Sequence, residues 1–99
     1  MNNVEKALLL LSGLSIKSGY NEKSLKYSRV GVAIFKDSVP LADIYGLGLL
    51  NLNLLDELNE FLQTTEVKSR NLCYITARYY MLTNPSEATE HLRTYLTYE

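Results

Sequence analysis

The stretch from Leu41 to Leu62, LADIYGLGLLNLNLLDELNEFL, decides the fold. Up to Leu52, every residue except Asp43 and Asn51 is apolar or glycine, as in a buried helix. Asp37 or Ser38 can cap that helix, and Pro40 falls in its first turn, where a missing N–H does no harm. Asn53 opens a second helix, in which Leu55, Leu58 and Leu62 share one face while Glu57 and Glu60 lie on the wet side. The segment therefore predicts a helical hairpin that cannot hide all of its apolar surface by itself.

The pattern recurs on both sides. Ile44, Leu47, Leu58 and Leu62 return thirty residues later as Tyr74, Ala77, Ala88 and Leu92. Thirty-four residues earlier stand Leu10, Gly13, Ser24 and Ser28, which are smaller but still compatible with packed positions. A period of about 30–34 residues with two helices per unit is tetratricopeptide-type geometry, in which each hairpin needs neighbours. A first helix runs from an Asn2 or Asn3 cap to about Ser18 and stops at Gly19. A second covers roughly Glu22–Lys36, capped by Asn21, with Leu25, Val32 and Phe35 turned inward. Val30–Phe35 also reads as a short buried strand, because Gly31 costs a helix about 1 kcal/mol. A fifth helix spans about Glu66–Leu82, and a sixth Ser86–Tyr98, after the Asn84–Pro85 stop and restart. The fold class that follows is all-α: residues 1–99 form one domain of about six short helices, stacked as three tetratricopeptide-like hairpins around a concave groove.

Composition agrees. Nineteen of 99 residues are Leu, while Gly and Pro together number seven, which favours helices over a sandwich or small barrel. The net charge is −1, with no cationic excess to hold a phosphate backbone. It is unevenly spread: residues 1–36 carry six Lys or Arg and two acids, whereas residues 37–66 carry six acids and no Lys or Arg. One Cys excludes an internal disulfide and fits a reducing cytosol, and with a single His it cannot build a closed zinc site. Ala7–Ile16 has the length of a signal-peptide core. However, Glu5 cancels Lys6, and Lys17 stands where a small residue should be cleaved. Nor can ten apolar residues span a bilayer, which needs about 20. A helix buried against a partner as well as its own chain is the better reading.

Stacking separates two apolar faces. With the repeat positions taken as packed, the groove falls to their neighbours: Leu8 and Leu11 in the first unit, Tyr45, Leu49 and Leu52 in the second, Leu72, Ile75 and Tyr79 in the third. A groove of Leu, Ile and Tyr accepts an amphipathic helix. No catalytic constellation competes with this. His91 stands alone in the last helix, Cys73 reads as a small buried hydrophobe, and Gly46-Leu47-Gly48 lies inside a helix without a preceding strand. Asp56, Glu57 and Glu60 form a solvated acidic face. The eight tyrosines would stack bases only if interleaved with Arg and Lys. No enzyme, cofactor or metal is expected.

Leu9-Leu10-Leu11-Ser12-Gly13-Leu14 followed by Ser18-Gly19 resembles the opening of the tetratricopeptide-like needle-protein chaperones of bacterial type III secretion systems. Ile44–Leu58 is similar to that family's central hairpin. Leu72–Leu96 is similar to its closing hairpin, including a Cys near an aromatic. The chain departs from the pattern at Asn53, where a turn Gly is usual, and at Tyr74, where Trp is more typical. The resemblance implies a cytoplasmic bacterial chaperone that works with a small helical co-chaperone. Its groove would hold the amphipathic C-terminal helix of a needle-forming secreted subunit, preventing premature polymerisation. On that reading Tyr45, Leu49, Leu52, Ile75 and Tyr79 contact the needle helix, while Leu8 and Leu11 face the co-chaperone or the end of the groove. No membrane insertion and no nucleic-acid binding are implied. Two other readings are an adaptor of the same fold for another partner, and a small DNA-binding regulator using Lys17, Lys23, Lys26 and Arg29.

Overall fold

A computed structural model describes residues 2–99. The chain is all-helical: α1 (Asn3–Lys17), α2 (Asn21–Ile34), α3 (Val39–Asn51), α4 (Leu55–Thr64), α5 (Arg70–Thr83) and α6 (Pro85–Leu96). The local chemistry sets most ends. Asn2 caps α1 by accepting from the Val4 N–H at 2.7 Å, and Gly19 terminates it with φ 82°. Ser38 and Ser69 cap α3 and α5 through the N–H groups of Leu41 and Leu72.

Three boundaries differ from the sequence reading. Asn21 lies inside α2 rather than capping it, and its Oδ1 accepts instead from Asn51 Nδ2 at 3.2 Å. Asn53 belongs to the turn before α4 and adopts φ 58°, the left-handed region that glycine takes freely and asparagine tolerates. Residues 66–69 form an extended connection that buries Val67, so α5 starts at Arg70. Residues 30–34 are helical, not a strand.

Each helix packs on the next in sequence, and α1 also packs on α3, and α3 on α5. Among the described residues, the backbones of α2, α4 and α6 do not approach one another closely, and a side-chain ion pair links α2 to α4. The first helices of the three hairpins thus form a packed row that the second helices do not match. The inner side of the stack is the side of the row α1–α3–α5 that bears Asp43 and Asn71. Helix α3 is the centre, with Leu41, Ala42, Tyr45, Leu49 and Leu50 all buried against Leu25, Leu58, Leu72 and Ile75 of its neighbours. Gly46 permits the α3–α5 approach, because a Cβ there would lie 3.2 Å from Ile75 Cδ1 and 3.3 Å from Leu72 Cδ2.

The α1–α2 hairpin is built differently. Its interior is serine: Ser12, Ser24 and Ser28 are all fully buried. Ser12 and Ser28 turn their hydroxyls back onto the Leu8 and Leu25 carbonyls at 2.7 and 3.3 Å, while Ser24 Oγ has no partner. The leucines of α1 point mostly elsewhere.

Candidate partner-binding surface

Ser12 of α1 is buried, and Gly13 meets α3, with Ile44 Cδ1 3.8 Å from where its Cβ would be. At about 100° per residue, the next large apolar positions round the helix, past Lys6 and Lys17, are Leu10 and Leu14, and then Leu11 and Val4. These four are 61%, 56%, 44% and 55% exposed. The first pair lies on the inner side of the stack and the second at its free N-terminal end.

On α3 the inner position between the two neighbouring helices is Leu47, one turn from both Ile44 and Asp43. Asp43 is fully engaged by α5, accepting from the Ser69 hydroxyl at 2.6 Å and from Asn71 Nδ2 at 3.0 Å. On α5 the same face carries Asn71, Tyr74 and Arg78, at helical spacing. The inner face is therefore Leu10, Leu14, Leu47 and Tyr74. Lys6 and Lys17 share the flank of α1 that carries Leu10 and Gly13, and Arg78 lies at the opposite side.

This corrects the groove drawn from sequence. Of its eight residues, Tyr45, Leu49, Leu72 and Ile75 are core; Leu8, Leu52 and Tyr79 are half-buried; only Leu11 is exposed. The phase is off by one helical step. Leu10, Ile44 and Tyr74, taken as packed, stand on or beside the open face, while their neighbours fill the interior. The second-helix positions Leu58 and Ala88, and Ala77 of α5, are buried as the repeat predicts. Glycines carried the missing signal, since Gly13, Gly46 and Gly48 mark the sides where helices approach closely.

The outer, splayed side is closed by one polar cluster. The Tyr45 hydroxyl donates to Glu57 Oε2 at 2.7 Å, and Arg29 donates to the same oxygen from Nη2 at 2.7 Å and from Nε at 3.2 Å. The hydrogen bond from Tyr45, then that from Arg29, holds the Glu57 carboxyl below its ordinary range. Burial, followed by the bond to Glu57, raises the Tyr45 phenol. Arg29 is thus committed to tying α2 to α4. Beside this tie, a cleft of about 580 Å³ opens between the C-terminal ends of those helices, floored by Val32, Ala42 and Phe61.

Cys73 and His91, which the sequence leaves unrelated, line one cavity of about 170 Å³ beside the α4–α5 connection. The His91 ring lies flat on Tyr80, 4.1 Å between centroids. Among the described residues no three His, Cys, Asp or Glu side chains group as metal ligands, and no helix is long and apolar enough to cross a membrane. The fold and the bare rows of α1 define a stacked helical-hairpin protein with open apolar surface on its inner side and at its N-terminal end. Comparison with protein-family models, curated proteins and solved structures finds no match for the chain.

Proposed function

We propose that the chain is a cytoplasmic chaperone of a bacterial type III secretion system, holding the amphipathic helix of a needle-forming subunit together with a small helical co-chaperone. One observation carries this: the α1–α2 seam encloses Ser12, Ser24 and Ser28, while Leu10, Leu11 and Leu14 of α1 stand exposed. That inversion stabilises the chain little by itself, and it suits a surface completed by another helix. The row Leu10, Leu14, Leu47 and Tyr74 offers a seat for an apolar helix stripe, with Lys6, Lys17 and Arg78 at its margins for acidic flanks. Val4 and Leu11, on the side of α1 turned away from α3, offer a separate seat for the co-chaperone.

Co-expression with both partners tests the assignment. Leu10→Asp is expected to release the needle subunit and keep the co-chaperone, and Leu11→Asp to do the reverse. If both variants retain both partners, the reading fails.

A further inference from the structure

The last hairpin carries a cation–aromatic ladder that starts at the inner face with Tyr74 and Arg78 and extends beyond it to Tyr95 and Arg70. Arg70 lies over the Tyr95 ring, its guanidinium carbon 5.0 Å from the centroid. Tyr95 of α6 packs on Tyr74 of α5 at 5.4 Å, and Arg78 lies over Tyr74 at 5.7 Å while donating to its hydroxyl at 2.7 Å. The order is Arg70, Tyr95, Tyr74, Arg78, running from the free C-terminal end of the stack to the edge of the inner face.

The two arginines differ from the rest. The chain has four, of which Arg29 is paired with Glu57 and Arg93 with Glu90. Among the described residues no carboxylate lies within ion-pairing distance of Arg70 or Arg78. Helix α5 contains no Asp or Glu at all. Each guanidinium is laid on a ring by cation–π attraction, which limits its freedom and leaves N–H edges facing water. The ladder therefore presents two ordered cations on one helix, eight residues or about 12 Å apart.

We propose that this ladder is a second docking surface, for an acidic helical segment with two carboxylates about two turns apart. Charge complementarity and matched spacing select this occupant. Arginine forks take carboxylates in a planar two-point bond, and two carboxylates seven or eight residues apart on a helix match the Arg70–Arg78 separation. The inference shares Tyr74 and Arg78 with the proposed inner seat but adds Arg70 and Tyr95, which that seat does not use. Leu10→Asp, expected to empty the seat, should therefore leave the peptide-induced shifts of Arg70 and Arg78 unchanged.

Arginine Nε–Hε resonances read the contact directly. The full chain, labelled with nitrogen-15, is titrated with a synthetic alanine-rich helical peptide bearing two Glu eight residues apart. The Arg70 and Arg78 signals are expected to shift together, while those of Arg29 and Arg93, already paired, stay in place. Arg70→Gln or Arg78→Gln is expected to weaken binding about fivefold, the weight of one exposed ion pair. A Gln-for-Glu peptide should leave all four signals unmoved. Equal shifts with that control, movement of all four signals, or no movement overturns the proposal. So does an oligothymidylate that shifts the same two signals at lower concentration than the peptide, which would assign the ladder to single-stranded nucleic acid.

Discussion

A Cβ on Gly31 of α2 would lie 2.9 Å from both Cδ atoms of Leu41, a side chain with no exposed surface at all. That approach sets the distance between the first and second hairpins. Gly31→Ala adds helix propensity of about 1 kcal/mol, yet it forces Leu41 into a filled core. Overpacking of this kind costs about 1–3 kcal/mol, and the net expectation is a loss of up to about 2 kcal/mol in denaturant unfolding. With Leu41→Ala in the same chain, the added methyl should be tolerated, so the two losses should fall short of additivity.

Core and open face separate cleanly in a pair of truncations. Leu49→Ala should destabilise by about 2–5 kcal/mol, because its side chain is wholly enclosed. Leu10→Ala should change stability by less than about 0.5 kcal/mol, as at other exposed positions, while weakening capture of the helical partner. Thermal melts and binding on the same two proteins check both halves.

The Glu57 cluster predicts a pH dependence. Its folded carboxyl titrates below the unfolded value of about 4.3, so its stabilisation is complete above that pH and disappears as the pH falls through the folded value. The group is partly exposed, and the contribution is less than about 1 kcal/mol. Glu57→Gln should be less stable at pH 7 and should lose stability less steeply below pH 4.3, by denaturant titration across that range.

The bare α1 rows predict self-association of the isolated chain. Sedimentation should show reversible oligomers at micromolar concentration, and Leu11→Glu with Leu14→Glu should return the chain to a monomer with its helicity kept. A wild-type chain that stays monomeric up to millimolar concentration would contradict the role given to this surface.

The architecture was legible because helix period and capping residues are local signals. Leu58, Ala77 and Ala88 follow from spacing, and Asn2, Gly19 and Ser38 from turn chemistry. The groove was not legible in the same way. Leu41–Leu52 is apolar nearly all round, so hydrophobicity gives no phase, and only contacts show that Tyr45 and Leu49 are core while Leu47, packed on the core's edge, is half-buried. Asn53 was misread because asparagine both caps helices and tolerates positive φ, and the choice between them depends on the turn it closes. The Arg–Tyr ladder was hidden because it joins α5 to Tyr95 of α6, a pairing that sequence spacing does not contain.

The serine-lined seam between α1 and α2 has a consequence for the order in which the molecule comes apart. Apolar burial holds the other hairpins together, whereas this seam encloses three hydroxyls, one of them without a hydrogen bond. Its opening therefore frees an unmet polar group and uncovers no fully buried large side chain of α1, so the amides of α1 are expected to exchange sooner than those of the leucine-packed α3. The helix richest in exposed leucine thus rests on a seam that encloses serine hydroxyls rather than large apolar side chains. A partner that lays an apolar stripe along α1 supplies the missing half of its core, and ordering the N-terminal hairpin becomes part of the binding event itself.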